Sequence, residues 1–150
     1  MGYTTEFSGA FKLSKKLDGD THKFLVKLSE TRRMKRKMSA VYGIDGEFFV
    51  DAKGFAGQNQ DDNSIIDYNT PPSTQPGLWC QWRPTDDGKS IEWDGGEKFY
   101  CYVEWMNYII KNFLEPNDIK VTGQIKFSGE DRGDRGTLKI VDGRCVAVRK

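Results

Sequence analysis

At 150 residues the chain has the length of one domain. Its Lys+Arg 23 and Asp+Glu 22 nearly cancel to +1, which excludes the one-signed field of a histone-like protein, and 37% hydrophobic with 13% aromatic residues excludes wholesale disorder. No apolar run approaches the roughly 20 residues that span a bilayer, and the opening Met-Gly-Tyr-Thr-Thr-Glu lacks the pattern of a signal peptide.

Tyr3, Thr5, Phe7, Phe11 and Leu13 share one side of an alternating stretch, which predicts a half-buried strand over residues 3–13. Asp18-Gly19-Asp20 breaks it and offers Asp20 as the N-cap of an amphipathic helix. Phe24, Leu25 and Leu28 form the apolar stripe of that helix, which runs to about Lys37. Glu47-Phe48-Phe49-Val50 reads as a short second strand. Glycines, asparagines and prolines then crowd residues 52–77 into one long loop, and loops of that length are usually functional or mobile. Residues 78–83 and 89–93 read as a hairpin closed by Pro84-Thr85-Asp86-Asp87-Gly88.

Asp94-Gly95-Gly96-Glu97 has the form of a capping box. It predicts a helix over residues 97–114 with Phe99, Val103, Met106, Ile110 and Phe113 as its buried stripe and Pro116 past its end. Ile119, Val121, Ile125 and Phe127 alternate with polar residues, and residues 138–141 and 145–148 flank Asp142-Gly143, a strong hairpin signal. The order β-α-β-β-β-α-β-β-β with hairpin connections predicts a single α+β domain over residues 1–150. Its sheet is mostly antiparallel, with two amphipathic helices packed on one face.

Cys80, Cys101 and Cys145 have no CxxC spacing and read as reduced thiols of a cytoplasmic protein. With His22 as the single histidine, no zinc-type cluster is spelled out, and neither a metal nor a cofactor is predicted. A Ser-His or Cys-His pair has only His22 to use, and no nucleophile-elbow, phosphate-loop or dinucleotide fingerprint occurs. Most carboxylates have a local structural role: Asp94 and Glu97 in capping, Asp86, Asp87 and Asp142 in turns. Asp61, Asp62, Asp67 and Glu92 have none. Of these, Asp67 and Glu92 are the catalytic candidates if the protein is a small hydrolase or transferase.

The basic run Arg32, Arg33, Lys35, Arg36, Lys37 offers charge for nucleic-acid phosphates, but cations also offset the partial negative charge of a helix C-terminus. The chain's neutral balance disfavours nucleic acid as the partner. Arg132-Gly133-Asp134 reads as turn chemistry.

The hairpin is more informative. Alternation places Leu78, Cys80 and Trp82 on one face and Trp79, Gln81 and Arg83 on the other, with Glu92 joining the second set. If Trp82, Ile91 and Trp93 pack under the second helix, the opposite face shows an aromatic plate beside a donor, an acceptor and an ion pair. Tyr68 and Asn69 of the long loop then fold over it, a surface suited to a small ligand or a protein partner. Tyr100, Glu104, Trp105 and Tyr108 lie off the second helix's stripe and either cover further core or meet a partner.

Longer blocks carry a resemblance: Ser29-Glu-Thr-Arg-Arg-Met-Lys-Arg36, Ile66-Asp-Tyr-Asn-Thr-Pro-Pro72, Gln75-Pro-Gly-Leu-Trp-Cys-Gln-Trp82, Ile91-Glu-Trp-Asp-Gly-Gly-Glu-Lys-Phe-Tyr100 and Gly129-Glu-Asp-Arg-Gly-Asp-Arg-Gly136. Over nearly its whole length the chain resembles a family of small uncharacterised proteins of bacteria and their phages. The resemblance implies a cytoplasmic protein of a bacterium or a phage-infected cell, and it implies no activity and no catalytic residue. Some members of that family have a His among the acids of the long loop, where this chain reads Asn59-Gln60-Asp61, so the resemblance makes a metal or acid–base role for the loop less expected here. The expectation is a binding or host-interaction module rather than an enzyme, with an unknown protein or small-ligand partner and no membrane.

Overall fold

The structure is a computed structural model and describes residues 2–59 and 63–150. Its strands are β1 (Glu6–Leu13), β2 (Lys35–Arg36), β3 (Ile65–Asp67), β4 (Trp82–Pro84), β5 (Ser90–Trp93), β6 (Val121–Ser128), β7 (Arg135–Val141) and β8 (Arg144–Arg149). Its helices are α1 (Gly19–Glu30) and α2 (Tyr102–Ile109). The result is an α+β fold. A six-stranded antiparallel sheet runs in the order β4-β5-β1-β6-β7-β8, and β2 and β3 pair separately as a small ribbon.

Register explains the core. Phe7 stands opposite Phe127, Phe11 opposite both Ile91 and Gly123, and Ile125 opposite Leu138, so their side chains share one face of the sheet. That face is buried against Leu25 and Leu28 of α1 and Trp105, Met106 and Ile109 of α2. Each such side chain removed from water contributes about 1.5–3 kcal/mol. Gly9 and Gly123 lie in the middle of β1 and β6 with φ of +105° and +104°, a region closed to side chains, and a Cβ at Gly9 would stand 3.2 Å from the Gln124 carbonyl oxygen. Glycine, without a Cβ, holds this conformation inside both central strands while their pairing continues unbroken. Trp105 and Tyr108 cover further core, both being buried.

Several elements differ from the sequence expectation, in each case because of where backbone N–H groups find their acceptors, some local and some distant. Asp18, not Asp20, caps α1, accepting from the Thr21 N–H at 2.7 Å. The helix stops at Glu30 rather than near Lys37, and the chain turns extended at Thr31. Beyond it the N–H groups of Arg32, Arg33, Lys35 and Lys37 donate to the carbonyls of Ala56, Leu78, Thr70 and Ser64, tying this stretch to the long loop. Residues 47–50 are not a strand, because the N–H groups of Glu47, Phe48 and Phe49 bond to carbonyls only a few residues upstream. The described part of the long loop is organised, with a 3-10 turn at Phe55–Gly57 and strand β3.

The capping box at residues 94–97 does not form. Asp94 N–H donates to the Gln81 carbonyl, its carboxylate accepts from Gly96 N–H at 2.8 Å, and α2 starts only after Cys101, which has φ of 57°. The helix then runs into a π-turn, Ile110–Leu114. On the edge strand β8, Cys145 gives its N–H to the Asn107 side chain at 2.7 Å and takes that side chain's amide on its carbonyl at 3.1 Å. Asn107 thereby occupies part of an otherwise open sheet edge and locks α2 to it.

Candidate functional site

Asn69, Trp79 and Gln81 line one cleft of about 510 Å³, together with Pro71, Pro76 and Tyr100. One wall is the loop leading into β4. Asp67 accepts from the Asn69 N–H at 2.9 Å and the Thr70 hydroxyl at 2.8 Å, a side-chain turn that aims the chain into Pro71-Pro72. The Asn69 N–H bond holds the Asp67 carboxyl below the usual carboxylate range. Downstream, the buried Gln75 amide donates to the Glu47 carbonyl at 2.7 Å and the Tyr108 hydroxyl at 3.0 Å, and Arg33 N–H holds the Leu78 carbonyl at 2.7 Å. Trp79, half-buried, stands on this pinned segment.

The other wall is residues 97–100. Gln81 is buried, not presented outward: its amide donates to the Glu97 carbonyl at 2.7 Å and its oxygen accepts from the Trp93 indole at 3.2 Å. Lys98 and Cys101 have φ of 58° and 57°, left-handed conformations held without glycine, and between them Tyr100 stands 52% exposed. Its hydroxyl accepts from Tyr3 N–H at 3.0 Å. Trp79 and Tyr100 therefore line one open space, Tyr100 held through its hydroxyl and Trp79 carried on a bonded backbone segment. Sequence reasoning placed Tyr100 on the second helix and missed it as a cleft residue, along with Pro71, Pro76, Glu97 and Lys98.

The remaining candidates lie elsewhere. Arg83 and Glu92 sit opposite each other on β4 and β5, 3.8 Å apart, on the sheet face away from the helices. Tyr68 turns to the long loop, donating to Gln58 at 2.6 Å with the Arg32 guanidinium 4.3 Å from its ring centre. Asp67 is on the small ribbon and Glu92 on the main sheet. Asp61 and Asp62, with Gln60, lie outside the described residues.

The basic run is not a solvated helix end. Arg33 is 2% exposed and donates to the Glu47 carbonyl at 2.9 Å and Gln75 at 3.3 Å; burial brings its pKa down to about 10. Arg36 is also buried, bonded to Ser64 at 2.9 Å and the Gly57 carbonyl at 3.3 Å. Arg32 donates to the Tyr68 carbonyl at 3.1 Å, and Lys35 is half-buried. These cations join the long loop to the core.

The nucleophile and base candidates are likewise engaged. A ring nitrogen of His22 lies 2.9 Å from the Thr85 carbonyl oxygen. Burial pushes the Cys80 and Cys145 thiols up to about 12, far from the thiolate that nucleophilic attack needs. A pair the sequence did not suggest, Glu47 and Tyr108, borders a second cavity of about 440 Å³. The Glu47 carboxylate accepts from Tyr108 at 3.0 Å and Thr74 at 2.6 Å, which fits a structural role. Among the described residues no group of three or more His, Cys, Asp and Glu is arranged to hold a metal ion, and no helix is long and apolar enough to cross a membrane.

No family model matches the chain. No curated protein and no solved structure matches it either.

Proposed function

We propose that the protein is a non-enzymatic recognition module that takes a small ligand or a short segment of a protein partner between Trp79 and Tyr100. The observation that carries this reading is the pair of aromatic residues lining one cleft, each on a bonded backbone segment. Trp79 is set by a segment bonded at Gln75 and Leu78, and Tyr100 by two left-handed residues and Tyr3. Apolar walls with a few polar groups at hand, here Asn69 and Glu97, are the composition of ligand pockets and of interface hot spots. Rigid walls also reduce the ordering cost of binding. The sequence resemblance to small bacterial and phage proteins supports a cytoplasmic accessory or host-interaction role.

The catalytic alternative, with Asp67 and Glu92 as acid and base, has less support. Asp67 is held by Asn69 and Thr70 in a turn, and Glu92 faces Arg83 on a different sheet.

The test is affinity capture from bacterial lysate with the wild-type chain, followed by titration of the captured partner. Trp79→Ala and Tyr100→Ala are expected to keep the native circular dichroism spectrum and weaken binding at least about tenfold, a hot-spot loss. Arg83→Ala, outside the cleft, is expected to bind as wild type. Undiminished binding by a folded Trp79→Ala variant overturns the reading.

A further inference from the structure

We infer that the open face of the six-stranded sheet is a surface for the nucleic-acid backbone. Both helices pack on the other side, so this face meets solvent. Strand alternation brings Lys12, Arg83, Lys126, Arg135 and Lys139 out on it, with Lys150 just past β8, and all six are exposed. The carboxylates on its strands are Glu6 and Glu92, and Glu92 already faces Arg83 at 3.8 Å. The chain's overall +1 hides this, because, of its Asp+Glu 22, only Glu6 and Glu92 stand on the strands of this sheet. A positive field from one face steers polyanions even when the whole molecule is near neutral.

The pattern fits phosphates in particular. Lys126 pairs with Ser8 and Thr137 across its two neighbours, so Arg135 and Lys139 lie on its diagonals. Diagonal neighbours are about 7–8 Å apart. That is close to the through-space separation of successive phosphates along one strand, roughly the span of one sugar-phosphate unit, so adjacent cations can address neighbouring phosphates. Lys126, Arg135, Lys139 and Lys150 border one shallow concavity of about 530 Å³, with Ser8 and Thr137 between them and one carboxylate, Glu6, also in its lining. Hydroxyl and cationic donors are the usual partners of phosphate oxygens.

No aromatic side chain emerges on the strands of this face, so there is nothing to stack on bases, and recognition is independent of sequence. An acidic protein is the competing partner. The apolar residues here are three valines confined to β7 and β8: Val146 pairs with Lys139, Val148 pairs with Thr137 and lines the concavity beside Lys150, and Val141 ends β7. Small and interleaved with cations, they do not make the apolar centre a protein interface needs.

The test is fluorescence anisotropy of labelled oligothymidine and oligocytidine against the full chain over a salt series. Both are expected to bind alike, with log affinity falling against log salt at a slope of about −2 to −3, at ~0.7 per neutralised phosphate. The double variant Lys126→Gln/Lys139→Gln is expected to bind at least about tenfold more weakly at low salt, with a slope shallower by about 1.4. Its melting temperature reports that the fold is kept. Trp79→Ala and Arg32→Gln are expected to bind DNA as wild type, which separates this surface from the cleft and from the basic run. No binding at low salt, a salt-independent affinity, wild-type binding by the folded double variant, or tighter binding of polyglutamate than of DNA of equal charge each overturns the inference.

Discussion

Arg33 is a cation at 2% exposure, and its neighbours explain how the fold tolerates it. Its guanidinium donates to the Glu47 carbonyl and the Gln75 side chain, and the Glu47 carboxylate and Tyr108 hydroxyl lie close enough to oppose the effect of burial. With a pKa near 10 it stays charged at neutral pH. Its Nη1 has no hydrogen-bond partner among the described residues, so little of the compensation is spare. Arg33→Ala leaves the Glu47 carbonyl and the Gln75 oxygen without this donor and opens a cavity, so a loss of about 3 kcal/mol or more is expected in urea unfolding. Arg33→Lys is expected to recover only part, because an ammonium cannot reproduce the fork. A loss below about 1 kcal/mol for Arg33→Ala would show that the network is not what holds residues 31–37 in place. The same network anchors Gln75, hence the Trp79 wall, so this residue links stability to the candidate site.

At the level of elements, legibility follows how local the causes are. β1, β6 and the β7–β8 hairpin were readable because each carries its own alternation, and Asp142-Gly143 supplies the turn, with φ of 51° and 77°. The end of α1 was not readable. Arg32 to Lys37 look like a helix terminus in isolation, and only carbonyls from the distant loop at residues 56–78 pull them extended. The cleft divides in the same way: Trp79 and Asn69 flank a recognisable hairpin, whereas Tyr100 depends on left-handed Lys98 and Cys101, residue types that signal nothing of the kind. Gly136 offers a test of the sheet's far side. It stands between Phe127 and Arg149, and the missing side chain leaves room for the Arg149 guanidinium 5.6 Å from the Phe127 ring centre. A Cβ there would approach Arg149 Cα to 2.8 Å. Gly136→Ala is expected to cost about 1–3 kcal/mol. Amide exchange should rise in β8 while α1 stays protected, and an unchanged melting temperature would contradict this account of the β7–β8 contact.

Across the whole molecule, the charges that cancel in the sum do different work in different places, and pH separates them. Asp18, Asp45 and Asp67 are held below the usual carboxylate range chiefly by backbone N–H bonds from Thr21, Ser73 and Asn69, and Asp87 chiefly by the Thr85 hydroxyl. In acid the unfolded chain therefore takes up protons before these groups do in the folded one. Their contribution is complete above the unfolded value of about 3.9 and is lost as pH falls through the lower folded values. Asp94 runs the other way. Burial raises its pKa against the weaker pulls of the Gly96 N–H and Arg83, so its ionised form costs the folded state at neutral pH and the cost disappears on protonation. Asp94→Asn keeps an oxygen for Gly96 and removes the buried charge. Its urea midpoint is expected to lie above that of wild type at pH 7. The gap closes as pH falls to about 4, and below that both proteins lose stability together through the depressed carboxylates. A variant less stable than wild type at pH 7 would mean that the ionised Asp94 is held by its partners more strongly than burial opposes it, reversing the sign assigned here.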